Sequence, residues 1–273
     1  MLSDTEKWLF DLHGYLVLKQ AVSAEDVDEM VELCDAWDAM ADDDLPEPVQ
    51  RYRDDSTGPT TARTVCGPDY VSDVFARLVL NREIMRVVLA LTDNCPKHLN
   101  VCLTRNTVDS DDIPLHGGFT GGIHNPASMY QAANGRIFAT FLNAAVSLVD
   151  VPEESGFVCI PGSHKSEFTM PPGVDQNSAA PVVVSPSVDA GDVVLFTETL
   201  CHGGRRWTRA DEPRRTAFIR YSTSYASFSP TAKPIEEFRD RISEELYELK
   251  QTSSVHHRKK VVTRLLEEMG ERS

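Results

Sequence analysis

The stretch Arg136–Val151, RIFATFLNAAVSLVDV, decides the fold. It is β-rich, and five shorter runs share its texture: LNVCLT at 99–104, GFVCIPG at 156–162, APVVVS at 180–185, DVVLFT at 192–197 and TAFIRYS at 216–222. Gly, Pro and Asp turns separate these runs, and no helical pattern intervenes. Successive short strands without crossover helices build antiparallel sheets, so this half of the chain reads as a sandwich or barrel.

Outward from that core the texture changes. GYLVLKQAVSAEDVDEMVELCDAW (14–37) opens with a short apolar strand, after which Ser23 caps a helix with Val27, Met30, Val31 and Cys34 at helical spacing. Residues 41–65 are acidic and rich in turn formers and read as a long surface loop, followed by one helix around 71–92. The last forty residues are charged and periodic, consistent with two exposed helices. The expected organisation is a single catalytic domain over 1–273: strand and helices to residue 98, a β core over 99–225, and helices from 226 onward.

Composition bounds the function. The 273 residues carry 27 Lys and Arg against 42 Asp and Glu, a formal charge of -15. Such a balance repels nucleic acid polymers and anionic membranes, so any anionic ligand needs a local basic pocket. Acids stand where a signal peptide would carry lysines, and no apolar run has the length of a membrane span, so a cytoplasmic location is expected. The six cysteines are scattered without a C-x-x-C pair and read as reduced, mostly buried thiols. Nothing in the sequence sets the oligomeric state.

The chemistry sits in the β-rich half. PLHGGFTGG (114–122) places His116 on a glycine-rich segment after a strand, and His202 follows the strand of AGDVVLFTETLC (190–201). Imidazoles from two strands of one barrel can converge on a metal such as iron. Arg205, Arg206, Arg209, Arg214, Arg215 and Arg220 crowd the window after His202, and paired guanidinium hydrogen bonds suit carboxylate or phosphate.

The order PLHGG, SGFVCIPGSHKSEF, DVVLFTETLCHGG, RRTAFIRYS resembles the phytanoyl-CoA dioxygenase family of non-haem iron, 2-oxoglutarate-dependent oxygenases, over roughly Gly14 to Ser222. The resemblance implies a mainly β fold with flanking helices, a double-stranded β-helix or cupin-like jelly roll. It implies Fe(II) held by His116 and His202, with 2-oxoglutarate and O2 as co-substrates. The family's acidic ligand falls at position 118, which is Gly118 here. That departure is similar to the iron and 2-oxoglutarate-dependent halogenases, in which Ala or Gly replaces the acid and chloride takes the position. The expected activity is therefore chlorination of an unactivated aliphatic carbon of a small, anionic substrate in specialised metabolism, with a nucleotide as one candidate. By position, Arg215 is the expected anchor for 2-oxoglutarate, with Arg214 as the alternative. Arg105, Arg136, Arg205 and Arg206 are candidate substrate clamps, and Phe119 a candidate pocket wall.

Other readings of the same residues stay open. Glu198 lies four residues before His202, roughly 13 Å along a continuous strand, too far to share an ion unless the chain bends. Asp109, Asp111 and Asp112, in the stretch before His116, are alternative acidic ligands. His124 lacks the Pro-Leu context, His164 reads as structural, and His13, His98, His256 and His257 have no supporting context. A hydroxylase with a non-standard iron site and a non-catalytic jelly-roll binder are the alternative functions.

Overall fold

In the computed structural model, residues 1–52, 63–117, 128–226 and 236–271 are described. Helix α1 (Asp4–His13) starts in a capping box between Ser3 and Glu6 and stops at the left-handed Gly14. It precedes strand β1 (Tyr15–Leu18), and helix α2 (Ala24–Ala39) begins where the Ser23 side chain accepts from the Asp26 amide. Strands β2 (Gln50–Arg51) and β3 (Arg63–Cys66) follow, then helices α3 (Asp73–Val79) and α4 (Arg82–Leu91).

The β core comprises β4 (Pro96–Asn106), β5 (Ile113–His116), β6 (Tyr130–Ala133), β7 (Arg136–Ala139), β8 (Phe141–Ser147), β9 (Gly156–Cys159), β10 (Val193–Thr197), β11 (His202–Arg205) and β12 (Arg214–Thr223). Helices α5 (Glu244–Lys250) and α6 (Lys260–Glu268) close the described chain. One sheet has the order β1-β10-β8-β12-β4-β3-β2, a second has β5-β11-β9, and β6 pairs with β7. Every ladder is antiparallel, with the crossovers of a jelly roll.

Alternation along the strands sorts the core into two layers. Ala217, Ile219 and Tyr221 of β12, Val101 and Leu103 of β4, and Leu195 of β10 face the helices, where Met30, Phe75, Ile84 and Leu246 cover them. Between the sheets lies a smaller cluster of Ala145, Phe157, Val194, Phe196 and Leu200, with Phe218 packed against it. Fully burying each such side chain contributes roughly 1.5–3 kcal/mol. The inner layer is apolar toward β1 and β10 and polar toward β4, where Thr64 and Thr104 share a 3.0 Å hydrogen bond.

Several expectations need correction. Residues 41–65 are not a loop throughout: Leu45, Val49 and Val65 are buried, and β2 and β3 extend the large sheet. The helix expected over 71–92 is two, broken at Asn81, whose side chain accepts from the Glu83 and Ile84 amides and restarts the helix. APVVVS contributes only a single bridge, Val184 to Cys159, because Pro181 and Pro186 remove ladder donors on either side. The C-terminal helices bury one face each, through Leu246 and Leu249 and through Val262 and Leu265.

The cysteines are not all reduced. The register of β3 on β4 sets Cys66 opposite Cys102 with Cα atoms 4.2 Å apart, and the two form a disulfide, while Cys34, Cys95, Cys159 and Cys201 are free. A C-x-x-C search cannot see partners 36 residues apart that meet only through strand pairing. No helix among the described residues is long and apolar enough to cross a membrane.

Candidate active site

The antiparallel pairing of β5 with β11 makes His116 and His202 direct partners across the ladder. Their side chains rise from the same face, with ring centroids 4.3 Å apart. His116 is exposed and His202 is buried, so the pair opens to solvent on the β5 side.

Both rings are oriented by backbone carbonyls. His116 Nδ1 lies 2.9 Å from Pro114 O, and His202 Nδ1 lies 2.7 Å from Leu200 O. A carbonyl only accepts, so each Nδ1 must carry the proton and each Nε2 keeps its lone pair. This carbonyl-fixed tautomer is the one a metal-binding imidazole adopts. Burial, aided by the neighbouring His116 ring and Arg220, pulls the His202 pKa down to about 4, so its lone pair is available at neutral pH. Phe157 stacks on His202 at 6.1 Å, and Phe196 packs on it at 4.6 Å.

Gly117, the glycine directly after His116, has a structural reason. Its φ is +74°, and a Cβ there would lie 2.8 Å from Glu198 O and 3.0 Å from His202 Cε1. Any side chain at 117 would push the two histidines apart. Gly118, Phe119 and His124 lie outside the described residues.

The carboxylates of Glu198, Asp111 and Asp112, weighed as alternative ligands, have other partners. The chain does bend at 197–202, with Leu200 N donating to Thr197 O, yet the Glu198 carboxylate turns to the Asn143 amide at 2.6 Å. Asp112 accepts from Gln176, Asn177 and the Arg206 backbone, and Asp111 lies 3.7 Å from the Arg206 guanidinium. The Asp109 amide donates to Thr107 Oγ1 in a surface turn. Among the described residues no group of three His, Cys, Asp or Glu side chains is arranged to hold a metal ion.

The arginines divide by strand parity. Arg215 points to the helical side, where its guanidinium forks onto Asp35 of α2 at 2.8 and 2.6 Å. Expected as the 2-oxoglutarate anchor, it instead ties β12 to α2. Arg214 points between the sheets, its Cζ 3.8 Å from where a Gly156 Cβ would lie. Its buried Nε has no hydrogen-bond partner among the described residues, and burial lowers its pKa to about 10. A buried guanidinium nitrogen without a partner is a feature a carboxylate would satisfy.

Alternation would have given this from sequence alone. Ala217, Ile219 and Tyr221 mark the core-facing parity of β12, which puts Arg215 with them and Arg214 opposite.

The other expected clamps are engaged elsewhere. Arg105 faces Asp38 and Asp35 at 3.5 and 3.8 Å, and Arg136 pairs with Asp93 on the outer surface. Arg205 donates to the carbonyls of Gln176 and Ser178, and Arg206 sits by Asp111. His164 is buried with both ring nitrogens unpartnered among the described residues, packed edge-on to Tyr130 and under Gly14. His98 is buried against Asp69 at 3.0 Å, beneath Lys250.

The model of one family matches residues 10–216, more than half of the chain: phytanoyl-CoA dioxygenase, PhyH. The chain belongs to the phytanoyl-CoA dioxygenase family. Solved structures with this fold include HygX from Streptomyces hygroscopicus with nickel, 2-oxoglutarate and hygromycin B bound, 22% identical with a TM-score of 0.69, over 83% of this chain and 89% of that one. The epimerase SnoN in complex with Fe3+, alpha ketoglutarate and nogalamycin RO is 20% identical, TM-score 0.58, over 82% and 85%. The carbocyclase SnoK from nogalamycin biosynthesis is 17% identical, TM-score 0.56, over 89% and 91%. A sequence comparison with curated proteins found no match. Phytanoyl-CoA dioxygenase family members are non-haem iron, 2-oxoglutarate-dependent oxygenases, and this chain is an enzyme of that class.

Proposed function

We propose that this chain is an iron and 2-oxoglutarate-dependent halogenase. The observation that carries the reading is a pair of histidines without a third acid beside them: His116 and His202 pack against each other with Nδ1 turned to backbone carbonyls, residue 118 is glycine, and no carboxylate among the described residues joins them. A missing carboxylate leaves one coordination position open and one negative charge unsupplied, and chloride provides both.

His116 and His202 would hold the iron, and the orphaned Arg214 would take the distal carboxylate of 2-oxoglutarate. When bound, iron with 2-oxoglutarate, O2 and chloride supplies hydrogen abstraction from an unactivated carbon and halogen transfer to it, with 2-oxoglutarate leaving as succinate and CO2. The chain's own residues do the rest. Pro114 and Leu200 carbonyls fix the imidazole tautomers, Gly117 lets β5 approach the 198–200 turn, and Phe157 and Phe196 keep water from the inner side of His202. The target carbon must sit nearer the halide than the oxidant, so substrate orientation decides between chlorination and hydroxylation.

The reading is tested by turnover with Fe(II), 2-oxoglutarate, O2 and chloride over a panel of nucleotides, acyl thioesters and amino acids. The expected product shows the chlorine isotope doublet by mass spectrometry and becomes brominated when bromide replaces chloride. A product that gains only oxygen at saturating chloride contradicts it.

A further inference from the structure

The inner face of β12 carries a second arginine that neither the histidine pair nor the Arg214 seat uses. Arg220 has Asn143 of β8 and Asn100 of β4 as its strand partners. Asn143 is in turn partnered with Phe196, whose ring packs on His202, so Arg220 stands at the level of the histidine pair. Arg214 is six residues away, about 20 Å along an extended strand. The two guanidiniums therefore cannot share one carboxylate.

Arg220 is poorly compensated. Its Nη1 has Asn100 Oδ1 at 3.5 Å and Cys102 Sγ at 3.3 Å, both weak contacts. Among the described residues no carboxylate lies within ion-pair distance of it. The acid that acts on it from further off, Glu198, is held by Asn143 at 2.6 Å. Arg215, five residues earlier and on the opposite face of the strand, shows the contrast, with its fork filled by Asp35. Arg220 is partly accessible, whereas a cation with this little pairing is costly to keep inside a protein unless a ligand completes it.

We propose that Arg220, with the Asn100 amide beside it, seats an oxyanion of the substrate, a carboxylate or a phosphate, on the inner face of the large sheet at the level of His116 and His202. This rests on the metal-site reading above and adds the substrate's charge class and its docking residue. A charged end fixed at Arg220 sets which carbon of the substrate faces the histidines, the orientation that halogen transfer requires. The subsite also explains how a chain of net charge -15 admits an anion at all.

The test is calorimetric binding to the protein loaded with Ni(II) and 2-oxoglutarate, which binds without turnover. Two matched pairs serve as probes: deoxyadenosine 5′-monophosphate against deoxyadenosine, and N-acetylphenylalanine against its amide. In at least one pair the anion binds wild type at least tenfold more tightly than its neutral partner, and the winning pair distinguishes phosphate from carboxylate. Arg220→Gln removes that advantage and Arg220→Lys keeps part of it, while both variants hold 2-oxoglutarate within twofold of wild type. No charge advantage in either pair, or an advantage intact in Arg220→Gln, overturns the subsite. Wild type that fails to take up Ni(II) and 2-oxoglutarate contradicts the metal-site reading instead.

Discussion

His116 and His202 face each other across the β5–β11 ladder with ring centroids 4.3 Å apart, each ring pinned through Nδ1 to a carbonyl two residues before it in the chain. If, as proposed, these two imidazoles hold the metal, losing either removes a large part of its anchorage. His116→Ala and His202→Ala are expected to lower Fe(II) or Ni(II) affinity by at least about 100-fold, more than the loss of a supporting hydrogen bond would. Metal-binding calorimetry on the folded variants checks this, and retention of wild-type affinity in either would place the metal elsewhere.

Arg214 and Arg215 are adjacent yet face opposite sides of the sheet. Arg214→Gln is expected to raise the KM for 2-oxoglutarate by roughly 10- to 150-fold, the worth of one charge-assisted hydrogen-bond pair. Arg215→Gln should leave that KM near wild type and lower the melting temperature through loss of the Asp35 fork. Steady-state kinetics and thermal unfolding on the two variants separate the roles; an exchange of the two outcomes would restore Arg215 as the anchor.

At position 118, Gly118→Asp is expected to abolish halogenation, because the new carboxylate would compete for the halide's position. It need not create a hydroxylase. Product mass spectra from the variant at saturating chloride check this, and undiminished chlorination would disconnect residue 118 from the halide.

Two buried histidines apart from the His116–His202 pair make the protein acid-sensitive. Burial pulls the pKa of both His98 and His164 down to about 4 from 6.5. The folded state keeps both rings neutral while the unfolded chain takes up protons, so stability is full above about pH 6.5 and falls as pH drops toward 4. Each contributes on the order of 3 kcal/mol over that window. The carboxyl of Asp69, held low by Lys250 and His98 despite its burial, adds its loss only below its unfolded value of 3.8. Urea unfolding of apo protein at pH 7, 6 and 5 measures the slope, and a flat profile would mean both rings are solvated.

The Cys66–Cys102 bond closes a loop of 36 residues. In the chain-entropy account such a loop is worth about 4 kcal/mol. Thiol titration of unfolded protein should find the four free cysteines before reduction and six after. Six before reduction would show that the bond does not form in solution.

The jelly roll was legible because its strands are apolar, short and punctuated by turns, and the histidine pair because its flanking motifs are local in sequence. What escaped depends on which strands are neighbours. Nothing near Cys66 points to Cys102, and nothing near Arg220 points to Asn100 or Asn143; pairing of β3, β4, β12 and β8 brings them together. That Arg214 and Arg215 face opposite sides of the sheet was within reach, since strand parity separates them, but residue count alone does not carry that parity. Helix α1 was missed although Ser3 and Glu6 form a capping box, because its apolar residues are few: Trp8 and Leu12 are exposed and only Phe10 is buried.

The most direct test is a crystal structure of the protein loaded with Fe(II), 2-oxoglutarate and bromide, with anomalous scattering recorded at the bromine edge. The expected result is a bromide bonded directly to the iron beside His116 and His202 Nε2, on the side of residue 118. An Asp or Glu oxygen bonded to the iron, with no bromide in its coordination sphere, would contradict it.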